Sequence, residues 1–515
     1  MTYRAILDRS TRATALQELQ REQFDVLVIG GGITGAGVAL DAASRGLRTA
    51  LVEADDLASG TSRWSSKLAH GGLRYLATGH VRIAKESADE RHLLMTTVAP
   101  HLARPRRNLL PLTPDLPGPA GYLSAFGPVA ADLLRRRAGT ASHLLPAPKL
   151  LSAKQTRPLM PAWRGAEVRG AVSFWDGQFE DDARLVVDVA RTAAAHGARV
   201  ATYLRAESIE ATSAVLHDVL TGHSFTARAQ VVVNATGAWA DGLDDRVRLA
   251  PSRGSHLVLP AARFGRPTCA INLPVPGQFG RFVFVLPRPD DLVIVGLTDD
   301  PAPGVDPRAP RVPAQDEEFL LGVVGRHLAQ PVDRADVVGR FAGLRPLVVG
   351  ADAGQRTADI SREHLLVDEP GAPITIVGGK LTTYRRMAQD TVDAVARRIP
   401  GAGPCLTDRL PLVGAASAPL LRRVRAPRRL VDRYGTLAAQ VQQLIASDPA
   451  LGEPVVAGSS TVRAELAYGV LAEGALTPED LVERRTRITM REGLRDESLC
   501  VAGELIERYG RTVRA

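Results

Sequence analysis

The sequence predicts an α/β protein: a Rossmann-like dinucleotide-binding domain interleaved with an antiparallel-sheet substrate domain, followed by an all-α C-terminal domain. Three observations predict it. The apolar run Phe24 to Ile29 leads directly into GGGITG, and Val38, Ala39, Ala42 and Ala43 then recur at helical spacing. The runs RFVFVL (281–286) and LVIVGL (292–297) alternate as strands of an antiparallel sheet do. Beyond about residue 403 the pattern turns helical, with Thr477-Pro478-Glu479-Asp480 reading as a cap, a first-turn proline and acids over the helix dipole.

Taken in order, residues 1–23 form a short amphipathic helix with little to bury, read as a solvated or docking extension. The first part of the nucleotide domain spans 24–100. Its strand, glycine turn, helix up to Gly46 and second strand Arg48 to Val52 make one β-α-β unit. The Pro- and Arg-rich stretch that follows is read as excursion rather than sheet, a cap over 101–180. Residues 181–250 return to the nucleotide domain through a helix at 183–196 and the strand-to-turn segment AQVVVNATGAWA (229–240). The substrate sheet occupies 251–350. The last part of the nucleotide domain occupies 351–402, where ITIVGGKLTTY (374–384) is again strand, glycine turn and helix start, and 403–515 is the helical domain.

Composition excludes several classes. The 515 residues exceed one ordinary core, and 45% hydrophobic with 23% charged residues is a globular mixture. No apolar run approaches the roughly 18 residues that cross a bilayer, and the polar, Arg-containing N-terminus is not read as a secretory signal. Three widely spaced cysteines without a C-x-x-C pair speak against a disulfide framework or an iron–sulfur cluster, and no metal site is expected. Redox chemistry would therefore rest on an organic cofactor. The net charge of +8 invites nucleic acid or an anionic membrane, but 59 of the 64 basic residues are arginine, a lopsided usage that weakens charge as evidence. No nucleic-acid partner is expected.

The sharpest motif is Gly30-x-Gly32-x-x-Gly35 between strand and helix, with Glu53 ending the second strand. Glycines let backbone N–H groups approach a pyrophosphate at the helix N-terminus, and the acid accepts hydrogen bonds from a ribose. No second such fingerprint follows a strand. Further glycine turns, at Thr236-Gly237 and at Gly379-Lys380-Leu381-Thr382, return to the same sheet. One nucleotide site with several turns gathered over it suits tightly held FAD. The stretch 61–76 adds hydroxyls at Thr61, Ser62, Ser65 and Ser66, with Lys67, for the pyrophosphate and flavin edge. His70 and Gly71 are placed against the ring.

Val28 to Glu53, SSKLAHGGLRYL, NATGAW, RGSHLVLP (253–260), GLRPL (343–347) and VGGKLTTYR (377–385) resemble, in the same order, the FAD-dependent glycerol-3-phosphate dehydrogenases. The resemblance runs from about residue 20 to 400 and continues into the helical domain. It implies oxidation of sn-glycerol 3-phosphate to dihydroxyacetone phosphate by hydride transfer to flavin, with electrons passing to a membrane quinone. It also implies a cytoplasmic enzyme attached peripherally to the inner face of the cytoplasmic membrane. Arg345 and Arg362 match the family positions that hold the substrate phosphate, which bidentate guanidinium groups grip well. Arg74 and Tyr75 resemble pocket residues, and Lys380 resembles the lysine near the flavin. His256 is the candidate for taking the hydroxyl proton, since imidazole titrates near neutral pH, with His70 as rival. The insertion that marks oxygen-using members is absent.

Residues 121–137, GYLSAFGPVAADLLRRR, set an apolar face beside three arginines, as expected of a segment lying among anionic headgroups. Two rival functions remain: an amine, amino-acid or glycerol-3-phosphate oxidase of the same fold using oxygen, and a non-catalytic flavin-binding membrane protein. A homodimer is carried as the assembly to test.

Overall fold

The computed structural model describes residues 5–72, 80–113, 129–164, 168–278, 281–349 and 363–510. The apolar strand Gln23–Ile29 is central because both its faces are buried. It pairs in parallel with Ser224–Asn234 on one side and Thr49–Val52 on the other. Arg199–Ala201 extends the sheet beyond Thr49–Val52. Ile374–Gly378 extends it beyond Ser224–Asn234, where the antiparallel strand His364–Val367 forms the edge. Helices Ile33–Ser44, Asp182–Ala195 and Tyr384–Arg398 bury their apolar residues, among them Val38, Val186 and Val392, in one core with Val26 and Val28. The middle helix starts where it does because the Asp181 carboxylate accepts from the N–H groups of Ala183 and Arg184.

The opposite face carries the N-terminal segment. Asp8 and Thr11 form a reciprocal cap on helix Arg9–Arg21, and Ala15 and Leu19 pack with Phe24, Leu27 and Ile29. Arg12 pairs with Asp218 at 2.6 Å, and Leu7 exchanges backbone hydrogen bonds with Ala472 and Gly474. The segment is thus docked, and it buries more than its sequence suggests.

A second sheet of ten strands runs Asp300–Pro301, Ser252–Pro260, Leu292–Gly296, Phe282–Arg288, Ala270–Pro274, Ala103–Pro111, Gly170–Phe179, Leu68–Ala69. Gly339–Arg345 also pairs with Ser252–Pro260, and Lys149–Ser152 with Gly170–Phe179. The antiparallel pairing expected of 281–286 and 292–297 is present, Val285 facing Val295. The stretch read as excursion rather than sheet is different: Ala103–Pro111 pairs along its whole length with Gly170–Phe179. Its prolines stand at positions 105 and 111 and its arginines point partly outward, so the apolar signal is confined to the buried end, Leu109 and Leu110.

The C-terminal helices enclose their own core around Tyr434 and Tyr468, whose rings meet edge-on at 5.6 Å. Between this core and the nucleotide domain lies a buried ion cluster. Arg184 makes a two-pronged pair with Glu473, and Arg485 grips Asp56 through two nitrogens at 2.7 and 2.8 Å. Among the described residues no helix is long and apolar enough to cross a membrane.

Candidate active site

The strand Gln23–Ile29 ends in a turn that only glycine permits. Gly30 has φ +110°, and a Cβ there would stand 2.6 Å from the Ala235 carbonyl oxygen; one on Gly35 would collide with the Gly30 oxygen. Helix Ile33–Ser44 therefore starts against the strand ends with Gly32 as an N-cap that offers no side chain. Ser62 Oγ accepts from Ile33 N–H at 2.9 Å. Glu53 accepts from Gly31 N–H at 2.6 Å and from Asp55 N–H at 2.9 Å, and burial pushes its carboxyl up to about 7. Across the sheet, Thr236 is anchored by Asn234 Oδ1 at 2.6 Å, and Gly237 takes φ +61°. This cradle fits a dinucleotide: close backbone approach, a helix N-terminus and a carboxylate at the end of the second strand stand together.

Hydrogen bonds draw the remaining motifs to the cradle. Thr61 Oγ1 donates to Leu344 O at 2.6 Å, and Thr382 Oγ1 to Leu68 O at 3.5 Å. Gly379, at φ +72°, turns the chain so that Lys380 Nζ donates to Ser87 Oγ at 3.1 Å, with Leu381 beginning a short 3-10 turn.

Ser66 Oγ lies 2.8 Å from His256 Nε2, and the imidazole stacks on Phe341 at 4.5 Å with a 10° tilt. Burial, then the charges of Lys67 and Arg345, hold His256 well below its ordinary range. The expectation of titration near neutral pH therefore does not hold here; the ring is neutral. Arg345 ends strand Gly339–Arg345. Its guanidinium donates to Asp299 Oδ1 at 3.1 Å, Ser252 Oγ at 3.3 Å and Thr298 O at 3.3 Å.

Some expected contacts turn out differently. Lys67 Nζ is buried against Asp182 at 2.9 Å and the carbonyls of Arg63 and Ser65, and Ser65 Oγ also donates to Asp182. The pair is structural rather than directed at the cofactor, because a buried ammonium needs a carboxylate at hand. Gly71 donates its N–H to Asp176 at 3.0 Å, and that carboxylate also accepts from Arg91. Neighbouring His70 is half-buried. Arg74, Tyr75 and Arg362 lie outside the described residues, as do 121–128 of the membrane-contact segment. In its described part, 129–137, Val129 and Leu133 are exposed. Arg135, expected among headgroups, is buried on Asp132 at 2.6 Å.

Thr298-Asp299, which ends the 292–297 strand, resembles a family turn near the cofactor, but the sequence assigns Asp299 no chemical role. Nothing in the sequence marked Phe341 or Asp182.

A nucleotide cradle beside a buried, polar second-sheet site defines a flavoprotein oxidoreductase. The model of the FAD dependent oxidoreductase family matches residues 25–385, and that of the C-terminal domain of alpha-glycerophosphate oxidase matches 405–513. Glycerol-3-phosphate dehydrogenase 1 of Mycobacterium tuberculosis is 45% identical over 515 residues, covering 99% of this chain and 100% of that protein. Glycerol-3-phosphate dehydrogenase 2 of the same organism is 38% identical, covering 94% of this chain and 84% of that protein. The crystal structure of the glycerol-3-phosphate dehydrogenase from Bacillus halodurans complexed with FAD superimposes with a TM-score of 0.75 at 29% identity. It covers 98% of this chain and 94% of that one. The chain belongs to the FAD-dependent oxidoreductase family, among its glycerol-3-phosphate dehydrogenases, and its cofactor is FAD.

Proposed function

We propose that the enzyme oxidises sn-glycerol 3-phosphate to dihydroxyacetone phosphate and passes the electrons to a membrane quinone. The single observation that carries the reading is the full-length similarity to glycerol-3-phosphate dehydrogenase 1 of Mycobacterium tuberculosis. Bound FAD supplies the two-electron acceptor for a hydride leaving the secondary carbinol. Gly30, Gly32, Gly35, Glu53, Ser62, Thr236 and Gly237 would hold it, and Thr61, Ser66, Gly379 and Thr382 would brace the turns around it.

Arg345 is the anchor for the substrate phosphate. Asp299, Ser252 and the Thr298 carbonyl fix the fork of its guanidinium, so little side-chain freedom is lost on binding. Arg362, Arg74 and Tyr75 complete the substrate site in this reading. Lys380, held by Ser87, brings a positive charge to stabilise negative charge developing at the carbinol oxygen. His256 accepts the hydroxyl proton at Nε2, the atom that faces Ser66. Being neutral in the free protein, it needs no prior deprotonation, and a dianionic substrate would raise its affinity for the incoming proton.

Peripheral attachment to an anionic membrane is supported by Val129 and Leu133, exposed one helical turn apart beside exposed Arg136 and Arg137. Leu133→Asp should reduce co-sedimentation with phosphatidylglycerol vesicles; equal binding would place the contact elsewhere. For the reaction itself, anaerobic addition of glycerol 3-phosphate to the purified flavoprotein should bleach its yellow absorption within one turnover. An unbleached flavin would remove the substrate assignment, and peroxide release in air would favour an oxidase.

A further inference from the structure

Outside the active site, the C-terminal domain meets the body of the enzyme across a cavity of about 60 Å³. That is room for a few waters or one small tetrahedral anion. Arg345, Lys380 and His256 do not line it. Its wall is strongly cationic: two of its arginines are held only by backbone carbonyls, and a third has one buried nitrogen without an acceptor among the described residues. Arg288 donates only to the backbone carbonyls of Phe179 (2.9 Å) and Glu180. Arg491 likewise donates only to the carbonyls of Gly458 (2.9 Å) and Asp290. Among the described residues neither has a carboxylate partner. Arg487 is 7% exposed; its Nη1 donates to Arg63 O at 2.7 Å, and its Nη2 is buried with no hydrogen-bond partner among the described residues.

The carboxylates nearby do not cancel this charge. Asp181 is paired with Arg433 at 2.7 Å, and Glu180 with Arg104 at 3.1 Å. Asp182, 3.6 Å from Arg487, already accepts from Lys67 at 2.9 Å, so two cations share one charge. Asp290 is the remaining carboxylate on the wall. A buried guanidinium N–H without an acceptor costs the desolvation of that group, so its retention calls for an acceptor that enters from solvent. Forked N–H donors from three arginines, with Ser459 and Ser460 at the same wall, match a multivalent oxyanion better than a single carboxylate.

We infer that this seam binds a small oxyanion of the phosphate class, at a site separate from the one that receives the substrate. It would act as a bolt between the domains: Arg491 and Arg487 belong to the C-terminal domain, and Arg288 to the ten-stranded sheet. Lys67 lines the same cavity, and its Nζ, 5.1 Å from the Phe341 ring, is already engaged by Asp182.

The test uses the full-length FAD-loaded protein and radiolabelled inorganic phosphate in equilibrium dialysis. Arg491→Gln removes one forked donor from a side chain that holds only carbonyls. Ser459→Asp retains an acceptor for the Thr461 N–H, which the serine oxygen now accepts at 3.1 Å, and adds a repelling charge. Each variant should bind one phosphate fewer per chain than wild type, or bind it at least tenfold more weakly, with the flavin spectrum and turnover unchanged. Equal phosphate stoichiometry and affinity in wild type and in either folded variant would overturn the inference. The comparison holds whichever substrate the active site takes.

Discussion

Ser66 Oγ faces His256 Nε2 at 2.8 Å, and the imidazole stacks on Phe341, a ring that also stacks with Trp64. The hydroxyl fixes the ring, and the ring's burial fixes its charge. Replacing His256 by Asn should lower kcat by about 10²- to 10⁴-fold, the usual value of a positioned base, with FAD content unchanged. Ser66→Ala leaves a buried nitrogen without its partner and should cost about 1–3 kcal/mol in stability, with a smaller fall in kcat. Stopped-flow reduction of the flavin reads the first effect, and thermal unfolding the second. A His256→Asn enzyme reduced at the wild-type rate would remove the residue from proton transfer.

The same burial sets a pH dependence. With His256 held well below its ordinary value of about 6.5, the free protein keeps the ring neutral through the physiological range. The acid limb of kcat/KM, which reports the free enzyme, should lie well below pH 6.5, and the limb of kcat should lie higher because bound substrate is anionic. For stability the sign follows from proton counting: below about pH 6.5 the unfolded chain binds a proton that the native ring refuses. This contribution is therefore lost as pH falls through that window. Chemical denaturation of the wild type and of His256→Asn at pH 5.5 and 7.5 should show a smaller acid loss in the variant.

Arg345 is held by Asp299, which itself accepts from Ser252 Oγ at 2.7 Å. Arg345→Ala should raise KM by about 30-fold, corresponding to about 2 kcal/mol for a lost charge-assisted contact, while FAD content stays normal. Asp299→Asn keeps the shape but weakens the anchor, and should raise KM less than the arginine deletion does. Steady-state kinetics on the two variants decide it; an unchanged KM in Arg345→Ala would place the phosphate elsewhere.

Glu53 combines burial with two backbone donors, and its carboxyl is pushed up to about 7 by the former. A carboxyl raised in the folded state favours folding below its unfolded value, and that advantage is lost as pH rises through 7. In the apoprotein, Glu53→Gln should therefore raise the unfolding temperature at pH 8 and change it little at pH 5. FAD affinity should move the other way. Ribose hydroxyls donate to the ionised acid, so wild-type binding should tighten between pH 6 and 8 while Glu53→Gln stays flat. Fluorescence titration of apoprotein with FAD measures both.

The nucleotide cradle was legible in the sequence because its constraints are local: Gly30, Gly32, Gly35 and Glu53 lie within one β-α-β unit, where spacing alone implies geometry. What escaped was set by long-range pairing. Ala103–Pro111 reads as a loop because its prolines and arginines mask a strand whose partner, Gly170–Phe179, lies some sixty residues away. Lys67 reads as a cofactor contact because nothing near it in sequence reveals Asp182. Arg135 reads as a headgroup ligand until its neighbour Asp132 turns inward with it. Charged residues are the least legible of all, since their role depends on the partner that burial brings.

That dependence is testable at the domain seam. Glu473 is fully buried and receives Arg184 through both terminal nitrogens, with Arg191 also 3.4 Å away. Its carboxyl is held below the usual range by these guanidinium groups, even though burial alone would raise it. Glu473→Gln leaves Arg184 buried without a counter-charge and should destabilise the protein by about 3–5 kcal/mol. The exposed pair Arg334–Glu318, at 2.7 Å, offers the control: Glu318→Gln should cost about 0–1 kcal/mol. Because Arg184 sits on the helix Asp182–Ala195 and Glu473 follows helix Arg463–Ala472, the loss should uncouple the C-terminal domain from the nucleotide domain. Differential scanning calorimetry should then resolve two transitions where wild type shows one. A single transition at the wild-type temperature would mean that contacts other than this ion cluster hold the domains together.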